Sequence, residues 1–198
     1  MAEIEIDRWN FSGDEEFNTT IGNSAVSDQS ASYREIKYGV TRLTSSDHGY
    51  KVSPAIYGPE PGNLIFVQGT TNYEGLRKIV AVGTDTLDII AKFVAETPGG
   101  TETLRPGFKC DTDVKFLGFE LHLDSASATV EDLEIHVDAD RGAAWDRKLY
   151  DLAMNGIKDY IEIFDPPIVI PAKDIVYCTW ANTNDRLWGL TLLTQRLA

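Results

Sequence analysis

The sequence predicts an all-β protein: a small β-module followed by an antiparallel β-sandwich or jelly-roll-like domain, preceded by a polar, extended N-terminal arm. Three observations lead there. Short runs rich in Val, Ile, Thr and aromatic residues are separated by Gly, Asn, Asp and Pro. Two runs alternate strictly between apolar and polar residues, the period of a half-buried strand. No window holds convincing helical spacing through three turns. The chain has 198 residues, 42% of them hydrophobic and 25% charged, enough for a core without disulfide or metal staples.

Residues 1–46 are read as the arm. "NTTIGNSAVSDQSAS" has too few apolar residues to build a core alone, and only "REIKYGVTRL" has strand character. Residues 47–105 are read as the module. "NLIFVQ", "RKIVAV" and "TLDIIAKFVAE" are its strands, and "TPGGTETLRPG" reads as a linker. Residues 106–198 are read as the sandwich. In "FLGFELHLDS", Phe119, Leu121 and Leu123 share one face and Glu120, His122 and Asp124 the other; in "DLEIHVDAD", Leu133, Ile135 and Val137 oppose Glu134, His136 and Asp138. In "AAWDRKLYDLAMNGIKDY" a helix competes through Trp145, Leu149 and Leu152, and we read strand from its neighbours. "DPPIVIPAKD", with its three prolines, reads as an edge or connecting segment. "DYIEIF", "DIVYCTW" and "RLWGLTLLT" supply further strands.

The chain is acidic, with a net charge of −13. Such a surface repels phosphate backbones and argues against nucleic acid as a partner. Cys110 and Cys178 are too few for a disulfide framework; buried free thiols are the simpler reading, and a single bridge is the other. "MAEIEIDRWN" lacks the basic start and apolar core of a signal peptide, and no apolar run is long enough to span a bilayer, so we expect no membrane partner.

The stretch "GTTNYEG", Gly69 to Gly75, asks whether it holds a ligand or turns the chain. Gly69 and Gly75 take positive φ without steric cost, Asn72 tolerates the left-handed region, and Tyr73 can fold back over the adjoining strands. A phosphate cradle would want a following helix and a Lys, and a strand follows here. The turn is the reading we carry.

Two resemblances add to this. "IFVQGTTNYEGLRKIVAVGTDTLDIIAKFVAE", Ile65 to Glu96, resembles a β-module of tailed-bacteriophage structural proteins, in which a "GTTNYdG" turn joins a strand to a hairpin. Gly69, Thr70, Asn72, Tyr73 and Gly75 are in place, and Leu76 stands where the module carries an aromatic. "FLGFELHL" (Phe116–Leu123), "EDLEIHVD" (Glu131–Asp138), "WDRKLYD" (Trp145–Asp151) and "WANTNDRLWGL" (Trp180–Leu190) resemble a phage-encoded sandwich. The resemblances imply a virion protein that decorates or joins capsid or tail components, made in the host cytoplasm. Its expected partners are other virion proteins and further copies of itself.

Three other chemistries compete. If the two alternating strands pair as a hairpin about Thr129, His122 faces His136, Glu120 faces Asp138 and Asp124 faces Glu134, a donor set suited to zinc or another divalent ion. The alternative is a solvated sheet face, which we carry forward with no cofactor. Trp145, Trp180, Trp188 and Tyr177 could form a sugar-stacking platform, so a host-attachment module that binds glycan is the second function. Asn182, Asn184, Asp185 and Trp188 are expected at an exposed hairpin tip. Alternation in "IVYCTW" places Val176, Cys178 and Trp180 inward. For an enzyme there is neither GxSxG nor HExxH, and the "SSDHG" around His48 is no triad by adjacency alone.

Overall fold

The computed structural model describes residues 6–13, 17, 19–20, 26–33, 36–44, 62, 64–83 and 86–197. In chain order the strands are β1 (Ile6–Gly13), β2 (Thr19–Thr20), β3 (Ser27–Asp28), β4 (Val40–Thr44), β5 (Leu64–Gln68), β6 (Gly75–Gly83), β7 (Thr86–Ile90), β8 (Thr103–Arg105), β9 (Gly107–Lys109), β10 (Val114–Leu123), β11 (Asp132–Asp138), β12 (Arg147–Ala153), β13 (Asp159–Ile170), β14 (Ile175–Thr179) and β15 (Trp188–Arg196). A short 3-10 turn, Ala143–Trp145, precedes β12. The all-β prediction holds, and "AAWDRKLYDLAM" is strand from Arg147 onward.

Two four-stranded antiparallel sheets form the sandwich, in the orders β1-β15-β10-β13 and β12-β11-β14-β9. The alternation in β10 and β11 explains why. Each strand has one apolar face, and the two faces meet across the core: Phe119, Leu121 and Leu123 from one sheet, Leu133, Ile135 and Val137 from the other. Val176, Cys178 and Trp180 point into the same core, as alternation predicts. Both cysteines are free, and burial pushes the Cys178 thiol's pKa up, because desolvation disfavours the charged thiolate.

The third sheet has seven strands in the order β2-β8-β5-β6-β7-β4-β3. The first part of β6 pairs with β5 and the last part with β7, with a register shift between Ile79 and Ala81. Such a shift bends the strand. The two halves then share one core that includes Val26, Leu43, Ile65, Val67, Tyr73, Ile79, Leu87, Ile89 and Leu104.

Two sequence expectations change. The described parts of residues 1–46 are built into the sheets. β1 pairs along its whole length with β15, from Ile6 opposite Gln195 to Gly13 opposite Trp188. β4 pairs along β7, where Arg42 lies opposite Asp88 and binds its buried carboxylate through two bonds of 2.6 and 2.9 Å, with Tyr33 donating a third at 3.0 Å. The apolar residues that the segment lacks are supplied by its partners. The segment read as a linker is likewise structural, since β8 lies between β5 and β2 in the third sheet. Residues 47–61, including His48, lie outside the described residues.

The third sheet seals one flank of the sandwich. Leu64, Leu76 and Trp9 pack against the sandwich core, and the Trp9 ring stacks on Phe108 at 6.1 Å. Leu76, the departure from the phage-module pattern, is thus an interface residue. Gln68 Nε2 donates to Asp138 Oδ2 at 3.0 Å, and the Arg105 guanidinium lies 3.5 Å above the Tyr177 ring.

Candidate interaction surfaces

The GTTNYEG stretch is a turn that binds an anion from its own chain. Gly69 and Gly75 have φ of +86° and +105°, as expected. The amides of Thr71 and Asn72 donate to the two carboxylate oxygens of Glu96 at 2.7 and 2.9 Å, and Asn72 Nδ2 adds a third bond at 3.0 Å. Tyr73 is fully buried; its hydroxyl donates to Val94 O and accepts from Val94 N. Thr70 Oγ1 accepts from the Tyr73 amide at 3.1 Å. The loop therefore clamps the chain that follows β7. A second carboxylate, Glu102, accepts from the amides of Gly99, Gly100 and Thr101, and the Gly99 bond does most to hold its pKa below the usual value.

The two Glu-x-His-x-Asp strands do not form a hairpin. β10 pairs with β13 and β15, whereas β11 pairs with β12 and β14 in the other sheet. The polar faces point outward on opposite sides of the sandwich, so Glu120, His122 and Asp124 never meet Glu134, His136 and Asp138. Among the described residues no group of three or more His, Cys, Asp or Glu side chains could hold a metal. A hairpin would have left its single apolar face uncovered; crossing through Asp124–Glu131 to the second sheet lets each face bury the other.

Their surroundings differ. His122 is two-thirds exposed and pairs with Asp159, while Glu120 pairs with Arg8 at 3.2 Å. His136 stacks on Tyr177, 5.1 Å between centroids and 13° between planes, and its Nε2 lies 2.9 Å from Glu134 Oε2. Lys148 donates to the other Glu134 oxygen at 3.0 Å and does most to hold that carboxyl's pKa below the usual range, with His136 adding to it. Gly107 lies opposite Tyr177, where a Cβ would stand 2.6 Å from Val176 O. Burial lowers the Arg105 pKa, partly offset by Tyr177 and Asp138. The row Lys148, His136, Tyr177, Arg105 thus ties the sandwich to the third sheet.

The expected tip and aromatic platform are also revised. Trp188 is buried, and Phe17 packs against it at 4.3 Å and edge-on to Trp180 at 5.5 Å. Asn182 is buried at φ +46° and exchanges hydrogen bonds with the backbone of Arg186 at 2.9 Å each. With its amide oxygen facing the donors, Asn184 accepts from Arg186 Nε and Ala128 N. Arg186 Nη1 also reaches Ser125 Oγ at 2.7 Å. The tip is therefore pinned to the β10–β11 connection, and of its four expected residues Asp185 is the exposed one. Of the four aromatics proposed as a platform, Trp145 alone is widely open, at 57%, with Arg141 over one ring face at 4.5 Å.

The surface that sequence reasoning missed lies on the flank opposite the third sheet, where β12 and β13 are the outer strands. Inward, Tyr150 and Tyr160 both donate to Glu162 Oε2, at 2.7 and 2.8 Å, and bridge the two sheets. Burial, then the neighbouring Tyr160 hydroxyl and Glu162 carboxylate, push the Tyr150 pKa up. Outward, Ile161, Ile163 and Val169 are 68%, 58% and 50% exposed. "DYIEIF" alternates with a polar and an apolar residue on each face, so its pattern does not say which face is inside. The Tyr-Tyr-Glu bridge decides it, and the pairing that makes it is tertiary.

The fold and these surfaces define an all-β sandwich with an appended seven-stranded sheet and an apolar ridge on an edge strand. No protein-family model matches the chain, and no curated protein or solved structure is significantly similar to it.

Proposed function

We propose that this chain is a structural component of a bacteriophage virion that decorates or joins capsid or tail components through protein–protein contacts. One observation supports this most: the row Ile161, Ile163 and Val169 stands exposed on the outermost strand of its sheet. Edge strands are places where another chain adds, and proteins that do not use them cover or charge them. An exposed apolar row on such a strand suits a contact with a neighbouring subunit. The sequence resemblances in the module and the sandwich point to the same setting. The test is mass spectrometry and cryo-electron microscopy of intact particles. The chain should be an ordered component of fixed copy number; its absence from purified particles overturns the reading.

A glycan-binding attachment module is the second reading, carried by the open face of Trp145. Stacking on a sugar needs such a face. The assembly reading expects no saturable binding on a broad glycan panel. Saturable binding lost in Trp145→Ala at unchanged melting temperature favours the second reading.

A further inference from the structure

We infer that a second copy of this chain adds to the open edge of β13 in antiparallel register about a two-fold axis through Ile161, an inference that rests on the assembly reading above. The hydrogen-bond pattern specifies a strand as the occupant. The Leu123 amide donates to Lys158 O at 2.7 Å, making Leu123 and Lys158 a hydrogen-bonded pair. In antiparallel sheets such pairs recur at every second residue. Tyr160 opposite Leu121 and Glu162 opposite Phe119 therefore face β10, and the backbone groups of Asp159, Ile161 and Ile163 point to the edge, which among the described residues carries no further strand. The Ile161 and Ile163 side chains rise on the outer face of this same stretch. Pro166 and Pro167, in the irregular part of the strand between Ile163 and Ile168, limit a new ladder to Asp159–Ile163.

Charge selects the register. A two-fold through Glu162 would set Glu162 against its own copy and Asp159 against Asp165, and directly opposed like charges destabilise a strand pair. A two-fold through Tyr160 would leave the outward groups of Ile163 opposite Ile157, beyond the start of β13. A two-fold through Ile161 places Ile161 against itself, Tyr160 against Glu162 and Asp159 against Ile163. It uses every outward-facing residue of the stretch and opposes no two carboxylates. The contact is small against the ~800 Å² per partner of a standard interface. Each copy also carries −13. The dimer is therefore weak in isolation and tightens as salt screens the repulsion, the opposite of an association held by ion pairs.

Cross-linking of the full chain reads the register. In a Cys110→Ser background, Ile161→Cys and Ile163→Cys are each oxidised with diamide at high protein concentration. Cα atoms of a directly opposed pair lie about 5.5 Å apart, within disulfide range. We expect Ile161→Cys to give a disulfide-linked dimer at least about tenfold faster than Ile163→Cys, which faces Asp159. Sedimentation equilibrium should show association that rises with salt and is lost in Ile161→Lys, whose melting temperature is unchanged because the side chain is exposed. A monomer at all concentrations, equal cross-linking at both positions, or a dimer that survives Ile161→Lys overturns the inference. A chain incorporated into particles but uncross-linked at residue 161 loses this interface and keeps the assembly reading, whereas a cross-linking dimer absent from particles does the reverse.

Discussion

β10 and β11 carry the same local message, Glu-x-His-x-Asp beside three alternating apolar residues, and end in different surroundings. On β10 the outward residues are an exposed rim: His122 with Asp159, and Glu120 with Arg8. On β11 they belong to a stacked polar row that joins two parts of the molecule, with Glu134 between His136 and Lys148 and with His136 against Tyr177. The difference teaches that a strand's own pattern sets which residues face out, while the neighbouring strands set what those residues do. β10 is flanked by Gly189 and Asp159 at its histidine; β11 is flanked by Tyr177 and Lys148.

The contrast is sharpest one residue before each alternating run. Gly118 on β10 has φ +149°, and a Cβ there would stand 1.9 Å from Glu162 O. Gly118→Ala should cost about 4 kcal/mol or more, through backbone strain and a clash with β13. The matching residue on β11, Asp132, is exposed, and Asp132→Ala should stay within about 0.5 kcal/mol. Urea denaturation of the two variants measures this, and equal costs would erase the asymmetry.

On the buried faces the strands should behave alike. Phe119→Ala and Leu133→Ala each remove a side chain with no exposure, at about 3–5 and 2–5 kcal/mol respectively. A Leu133 variant with an unchanged denaturation midpoint would mean that the second sheet does not share the core.

On the outward faces the strands should separate again. His136→Ala loses the Tyr177 stack and a Glu134 contact and should cost about 1 kcal/mol, whereas His122→Ala, at an exposed pair, should cost less than about 0.5 kcal/mol. A double-mutant cycle of His136 with Tyr177 isolates the stack; a coupling energy of zero would make the row a coincidence of packing.

The smallest effect is pH dependence. Lys148 and then His136 hold the folded-state pKa of Glu134 below its ordinary 4.5. Its contribution is therefore present in full above the ordinary carboxylate range and is lost as pH falls through the lowered value. Glu134→Gln should be slightly less stable than the parent at pH 7 and should converge with it toward pH 3, as calorimetry would show. A gap that persists at pH 3 would assign the effect to packing.

The sequence by itself determined the all-β class, the positions of most strands, a positive φ at Gly69 or Gly75, and the inward set Val176, Cys178 and Trp180. These follow from local causes: side chains alternate along a strand, and glycine lacks a Cβ. Only the tertiary structure decided that β10 and β11 lie in different sheets, which dissolves the two-histidine face. It also decided that residues 6–13 complete a sandwich sheet, that Asn182 and Trp188 are buried, and that Ile161 and Ile163 face outward. The placing of residues 6–13, of Trp188 and of Ile161 and Ile163 depends on partners elsewhere in the chain: Gln195 opposite Ile6, Phe17 against Trp188, Tyr150 on Glu162. A residue's alternation states that it has two sides, and burial of one side requires a second surface whose position along the chain no local pattern records.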